Sequence, residues 1–287
     1  MKTKTTLVLI TALLSIQAQA AETQFLHFFL KSRTEAGFQK SDLKLIESAF
    51  GAMQSKNPVF SHLETFVDDS KNPVVNRSFF LANLMRVYPW INLAHMYAGQ
   101  WELVSFWPDF SYGSSRISAL DAVVRLELKP GADLRAHYSD LAELRQFFVK
   151  KYAVSLSISK EHIIKDDGTT ANTDYFLSFI VPWQRGADPT VTQKYWLEKH
   201  GPLAASLIPT EIKKYVQDHT LVPQPLDVFD ENYQGICFEN VPSAQHVKDF
   251  RSKPGAWKAS VTLASDEEVF SDHPSMMVFE RISNRDL

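Results

Sequence analysis

Only one cysteine, Cys237, stands in the 287 residues, so no intramolecular disulfide can form and stability has to come from burial. A dominant charge is lacking too: 30 Lys and Arg face 33 Asp and Glu, a formal net charge of −3 with the signs intermixed. That balance gives no electrostatic ground for nucleic acid or an anionic membrane as partner. Ten glycines, 14 prolines and the absence of any low-complexity tract exclude a fibrous or disordered chain. No apolar run reaches the roughly 20 residues a spanning helix needs. Several chemical motifs are missing as well. Without Gly-x-Gly-x-x-Gly or a phosphate loop, no nucleotide cofactor is expected, and without Gly-x-Ser-x-Gly there is no serine-hydrolase elbow. The nine histidines show no His-x-x-x-His spacing, so a metal site has no local support.

What is present begins at the N-terminus. Lys2 and Lys4 precede a mostly apolar run from Thr5 to Ile16, and Ala18-Gln19-Ala20 follows with the small-x-small pattern read by signal peptidase. Residues 1–20 are therefore expected to be a signal peptide cleaved after Ala20, leaving a periplasmic or secreted protein with no membrane span. The apolar run is about a dozen residues, too short for an anchor, and no cysteine follows it for lipidation. With 45% hydrophobic residues, the roughly 265 residues that remain can build one large core or two modest ones.

The pattern along the chain predicts alternating strands and helices. Gln24 to Lys31 is a short apolar run that reads as a buried strand. A helix capped by Ser41 follows, with Leu43, Ile46, Phe50 and Met53 at helical spacing. Val59 to Val67 is strand-like, and Asn76 to Ser118 reads as an insertion. In Leu120 to Leu128, the residues Leu120, Ala122, Val124, Leu126 and Leu128 face one way, with Asp121, Arg125 and Glu127 among those facing the other. A helix from Leu134 to Tyr152 and strand pieces at Val154 to Ile158 and Ile163-Ile164 complete the first half. Asp166 to Asn172 reads as a linker. The second half repeats the order: strand Tyr175 to Val181, helix Pro189 to Leu207, strands Ile212 to Val222 and Tyr233 to Phe238, helix Ser243 to Phe250, strand Met276 to Ile282. The expected fold class is α+β, with tandem ferredoxin-like βαββαβ units, in residues 21–165 (insertion near 76–118) and 173–287. Each unit has one face of its sheet covered by helices, and packing the two bare faces together buries both within one chain.

Thr192, Tyr195-Trp196, His200-Gly201-Pro202-Leu203, Tyr215 and Asp218-His219 resemble the pattern of the EthD family, in which an aromatic-rich helix ends in His-x-Pro-Leu and leads into a Tyr-containing strand. Asp266-Glu267-Glu268-Val269-Phe270 is similar to the acidic stretch ending in an aromatic residue that precedes the family's last strand. These motifs cover about 110 residues in the right order, and the resemblance implies a dimeric α+β barrel. Here the barrel would be intramolecular, with the first half a degenerate copy standing in for the second subunit, so a monomer or weak homodimer is expected. Thr192 departs from the family's usual aromatic residue, which implies a looser helix face or a wider pocket.

Trp196, His200, Leu203 and Leu207 share one helix face. On that stripe His200 reads either as a hydrogen-bonded core histidine or as a partly buried imidazole able to move protons near neutrality; relatives acting on ring or lactone substrates carry the same histidine. Tyr215, Gln217 and His219 share one strand face and Val216 and Asp218 the other. The first face lines a pocket if it meets the gap between the sheets, and is ordinary surface if it meets solvent. Cys237 reads as a small buried hydrophobe or, beside a base, a reactive thiol. Asp266, Glu267 and Glu268 read as a solvated loop or helix turn, or Asp266 orients His200 or His219. The candidate catalytic set is thus His200, Tyr215 and Asp266, with Tyr195, Trp196, His219, Cys237 and Phe270 around a small apolar molecule. Two functions follow: an oxidoreductase or cofactor-independent acid-base enzyme acting on a small apolar ring or carbonyl compound, or an exported binding or accessory protein without catalysis. Haem-binding relatives exist in the wider superfamily, but the sequence marks no histidine here as an axial ligand.

Overall fold

The computed structural model describes residues 23–34, 37–69, 120–168, 173–252, 254–272 and 274–287. The expected signal peptide, the 76–118 insertion and most of the linker lie outside the described residues.

β1 (Gln24–Ser32) is buried on both faces over most of its length, as its run of aromatic and aliphatic residues predicts. α1 (Lys40–Lys56) buries Ile46, Phe50 and Met53, which join Leu26, Phe28 and Leu30 in one core. Ser41 does not cap this helix. Gln39 occupies the cap position, without a side-chain hydrogen bond. Instead, Asp42 in the first turn accepts from Lys151 Nζ at 2.8 Å and from the Tyr152 hydroxyl at 2.6 Å, which ties the helix start to the far end of its half.

β2 (Phe60–Asp68) and β3 (Ala122–Leu128) follow. The helix expected over 134–152 is a 3₁₀ turn (Leu134–His137) running into α2 (Tyr138–Val149). The turn begins at Asp133, whose carboxylate accepts from the Arg135 amide at 3.0 Å. β4 (Tyr152–Asp166) is one strand of 15 residues where two pieces were expected. The polar stretch between them stays extended because it is paired on both sides: 152–160 with β1 and 159–166 with β6.

The second half runs β5 (Tyr175–Val181), α3 (Pro189–Tyr195), a π-helical turn (Trp196–His200), α4 (Gly201–Leu207), β6 (Lys214–Thr220), β7 (Gly235–Val241), α5 (Ala244–Ser252), α6 (Pro254–Glu267) and β8 (Ser275–Asp286). The last helix was not anticipated, and it places Asp266 and Glu267 on a helix end. In β8, the first half pairs with β5 and the second with β2.

All eight strands close into one antiparallel barrel in the order β1-β3-β2-β8-β5-β7-β6-β4. Within the circle the first half contributes β4-β1-β3-β2 and the second β8-β5-β7-β6. The two sheets expected to face each other as separate layers are therefore hydrogen-bonded along both edges, β2 to β8 and β4 to β6. Closure removes the open edges that each four-stranded sheet would carry alone.

Directly paired residues share a face of the sheet, so the register fixes what points into the barrel. Phe25, His27 and Phe29 oppose Ser159, Ser157 and Ser155, Arg125 opposes both His27 and Glu64, and Glu161 opposes Asp218. A core of Phe29, Phe66, Val123, Val216, Ile236, Phe238 and Phe279 fills much of the interior. The face of β3 that carries Arg125 is thus turned inward, and Arg125 is buried.

Candidate functional site

α3 starts where Asp188 accepts from the amides of Thr190 (2.7 Å) and Val191 (3.3 Å), with Pro189 in the first turn, a favourable N-cap. The π turn adds a residue to the helical circuit, and this changes which residues reach the sheet. Trp196 and His200 are buried as the helical spacing predicts, but past the turn Gly201 and Ala204 are buried and Leu203 and Leu207 are only half-covered. Gly201 leaves little room: a Cβ there would come within 3.2 Å of Ile164 and 3.3 Å of Gln217.

Trp196 lies flat on His219, with ring centroids 4.2 Å apart and planes at 5°. Gly235, paired with His219 on the neighbouring strand, makes this possible. A Cβ at Gly235 would sit 2.9 Å from the indole and 2.1 Å from the Asp218 carbonyl.

Around Asp266 a second arrangement forms. Its Oδ2 is 2.8 Å from His200 Nδ1 and its Oδ1 accepts from the Tyr195 hydroxyl at 2.8 Å. The Phe270 ring fills the space between, 4.8 Å from His200, 6.0 Å from Tyr195 and 6.1 Å from Trp196. The Asp266 carboxylate can only accept, so His200 carries a proton on Nδ1. The hydrogen bond to Asp266, with some burial, raises the Tyr195 pKa, so this phenol stays protonated and donating.

Tyr215, Gln217 and His219 meet neither the gap between the sheets nor solvent: all three are buried, and Trp196 of the π turn covers His219. Gln217 Nε2 donates to the Tyr215 hydroxyl at 2.8 Å, and His219 Nε2 donates to Gln217 Oε1 at 2.9 Å. Burial pushes the Tyr215 phenol well up and the His219 imidazole well down, the latter helped by the neighbouring His162. Cys237 is buried in the same cluster with Trp196, Tyr215 and Phe270. The predicted residues thus fall into two hydrogen-bonded groups, Tyr195–Asp266–His200 and Tyr215–Gln217–His219, joined by the stacked rings of Trp196 and Phe270.

A third group lies inside the barrel and was not singled out from the sequence. Asp218 accepts from Arg125 Nε at 2.7 Å and Nη2 at 3.1 Å, and its Oδ2 is 3.1 Å from His27 Nε2. Arg125 also donates to Glu64 (3.0 Å) and Glu161 (2.6 Å), and Arg281 donates to Glu64 at 2.9 Å. The Arg125 guanidinium sits 3.3 Å over the Phe25 ring. Burial alone would raise the Asp218 carboxyl, but the Arg125 charge and the His27 hydrogen bond outweigh it and hold the group far below the ordinary carboxylate range. His27 is shifted down, because burial outweighs the attraction of Asp218. The available signal was strand alternation, which put Arg125 and Asp218 opposite the helix-facing residues of their strands. Once both faces are buried, charges on the inner one have to pair with each other.

Among the described residues no cluster of three or more His, Cys, Asp or Glu side chains is arranged to hold a metal ion, and no helix is long and apolar enough to cross a membrane.

Comparison with known proteins places an EthD domain at residues 184–274, the segment that contains the Tyr195–Asp266–His200 group. No curated protein matches the chain. Among solved structures, a putative monooxygenase from Fusobacterium nucleatum subsp. nucleatum ATCC 25586 is similar at 9% identity and a TM-score of 0.44, covering 93% of this chain and 95% of that one. A mutant chlorite dismutase from Candidatus Nitrospira defluvii in complex with cyanide is similar at 11% identity and a TM-score of 0.34, covering 78% of this chain and 91% of that one. At these TM-scores neither likeness bears on mechanism.

Proposed function

We propose, taking the EthD domain at residues 184–274 as the premise, that this chain is an oxidoreductase-type α+β barrel protein or, as the redox-neutral proton transfer below describes, a cofactor-independent acid-base enzyme, acting on a small apolar ring or carbonyl compound. His200 is the proton carrier. The observation that carries this reading is the shared carboxylate of Asp266, which holds His200 Nδ1 and the Tyr195 hydroxyl at 2.8 Å each beside the aromatic surface of Phe270 and Trp196. An imidazole fixed in this way takes a proton from an activated carbon at Nε2 and returns it to another atom of the substrate, while Asp266 stabilises the imidazolium that forms in between. Tyr195 is a positioning residue through Asp266. Tyr215, buried and hydrogen-bonded to Gln217, supports the sheet beneath Trp196 and is the more remote member of the candidate set.

His200→Gln keeps volume and polarity but removes the titrating group. Turnover of an identified substrate is expected to fall about 10²-fold to 10⁴-fold with the melting temperature little changed. Undiminished turnover would make His200 structural and remove the centre of the enzyme reading.

The strand orders β4-β1-β3-β2 and β8-β5-β7-β6 support reading the halves as two ferredoxin-like units fused into an intramolecular dimeric α+β barrel, the first standing in for a partner subunit. With both seams closed within one chain, a monomer suffices. Export of the mature protein from Ala21 onward remains part of the proposal on the strength of residues 1–20, and mass spectrometry of the mature N-terminus checks it.

A second reading, an exported binding or accessory protein without catalysis, draws on one observation: the space between the two halves is occupied by the Arg125–Asp218 network and by phenyl rings, which favours a structural role for that space over a catalytic one. Exposing the purified protein to a small-molecule library and identifying what stays bound by mass spectrometry separates the two. Chemical conversion of the retained compound supports the first reading, and its recovery intact supports the second.

A further inference from the structure

Asp266, which holds both His200 and Tyr195, sits where a helix is least secure. α6 ends at Glu267, and the last carbonyls of any helix lack partners within it. Three consecutive acids, Asp266, Glu267 and Glu268, crowd the negative end of the helix dipole, and no basic residue stands in the last turn to offset them. No glycine follows in 268–271 to close the end in the left-handed turn that commonly finishes a helix. Left to its local sequence, this end would fray, and the carboxylate would not keep one place relative to His200.

The fold fastens it from outside. The Asp266 carbonyl accepts from the Val269 amide at 3.1 Å, and the Glu267 carbonyl from the amides of Phe270 (3.1 Å) and Ser271 (2.9 Å), which folds 266–271 into a turn. That turn is bound to the 182–188 loop between β5 and α3. Ser271 Oγ donates to the Pro182 carbonyl at 2.8 Å, and Gln184 Nε2 donates to the Glu268 carbonyl at 2.9 Å. The loop is itself held. The Gln234 amide donates to the Val181 carbonyl at 2.8 Å, the Ala187 amide to the Gln184 carbonyl at 3.2 Å, and Trp183 Nε1 to the Glu231 carbonyl at 2.7 Å. At the far end of the loop Asp188 caps α3, the helix that leads to Tyr195 and His200. One short loop therefore sets both the start of the helix that leads to the imidazole and the end of the helix that carries the carboxylate.

We infer, on the reading of His200 as proton carrier, that Ser271 and Gln184 are positioning residues for it. They act through Asp266, holding its turn where one carboxylate reaches both His200 Nδ1 and the Tyr195 hydroxyl. A misplacement of about 1 Å in such an arrangement costs roughly 10²-fold in rate. The same turn carries Phe270, whose ring packs on His200, Tyr195 and Trp196, so the two fasteners also set the aromatic wall beside the imidazole. Ser271 is buried against the loop and Gln184 is half-buried, each spending its donor on a backbone carbonyl.

Nuclear magnetic resonance of the full chain, labelled with ¹⁵N at histidine, reads this without a substrate. The His200 signals, assigned by their loss in His200→Gln, are expected to show a protonated Nδ1 whose proton exchanges slowly with water, and Asp266→Ala marks the exchange once the carboxylate is gone. Ser271→Ala and Gln184→Met are each expected to speed the exchange about fivefold toward that level, as the loss of one net hydrogen bond does. Parent-like exchange in both overturns the proposal, and if Ser271→Ala does not fold, Gln184→Met decides alone. Gln54→Met removes the acceptor of the Phe60 amide at 3.0 Å in the first half and controls for a general loss of stability. It is expected to lower the melting temperature and leave His200 exchange unchanged; an equal acceleration there overturns the positioning role. On an identified substrate, Ser271→Ala and Gln184→Met are expected to lower kcat with KM nearly unchanged, and a raised KM at unchanged kcat overturns it. The two failures read differently: undiminished turnover in His200→Gln removes the proton carrier, whereas the exchange rates alone decide whether the turn is held.

Discussion

Gly235 shows how much one missing methyl group decides here. It is the residue over which Trp196 lies to reach His219, and a Cβ there would meet the Asp218 carbonyl and the indole together. Gly235→Ala is expected to cost about 1–3 kcal/mol, as overpacking does, and to shift the near-ultraviolet circular dichroism that reports on Trp196. An unchanged melting temperature and spectrum would show that the stacked arrangement is not required. The buried titratable groups make a second prediction. His27 and His219 have pKa values below the ordinary 6.5, so below that pH the unfolded chain takes up protons that the folded chain refuses, and stability falls as pH drops. Asp218 and Glu64 are also held down, mainly by the Arg125 charge against the opposing effect of burial. Their contribution is present above the ordinary carboxylate range and is lost as pH falls below it. Urea midpoints measured from about pH 7 to about pH 3 should decrease in two stages; a maximum near pH 5 would contradict the assignment. Of the candidate site, His200, Asp266, Tyr195 and Phe270 were legible because the EthD motif names them and helical spacing puts Trp196 with His200. His27, Arg125 and Asp218 were not, because they come from strands more than 90 residues apart and no local pattern links them.

The helix from Pro189 to Leu207 was readable from its apolar stripe, yet the π turn inside it was not. A single extra residue in the circuit rotates α4 so that Ala204 replaces Leu203 at the sheet, and a stripe read at constant period misses that shift. α6 went unseen for a related reason, since its residues carry only a weak amphipathic pattern and much of its stability comes from where it docks. The two longest strands, β4 and β8, do what short strands cannot: each pairs with its own half in its first part and with the other half in its second. Removing residues 283–287 deletes the β8 positions opposite His62, Leu63, Glu64 and Thr65, together with the Asp286 and Asn284 contacts of His62 at 2.9 and 2.6 Å. With a net value of about 1 kcal/mol per hydrogen bond, the truncated protein is expected to melt several degrees lower and to expose the β2 edge to proteolysis. A melting curve that superimposes on the parent's would show that this seam contributes little.

Closure of the barrel makes the two halves depend on each other. Residues 173–287 expressed alone would present β6 and β8 as open edges, and unpaired edges seek partners. This half is therefore expected to dimerise, or to aggregate, where the full chain stays monomeric, and sedimentation of both proteins decides it. A stable, monomeric C-terminal half would mean that the seams are dispensable. The sequence by itself determined the α+β class, the repeated order of strands and helices, the EthD motif and the helix face that holds His200. These are local properties, written in side-chain period and in motif spacing. Only the tertiary structure decided that the two sheets join into one barrel, that the second face of β3 and β6 is an interior lined by paired charges, and that Asp266 serves His200 and not His219. Pairing between distant strands sets those features, and periodicity records that a face is covered but not what covers it.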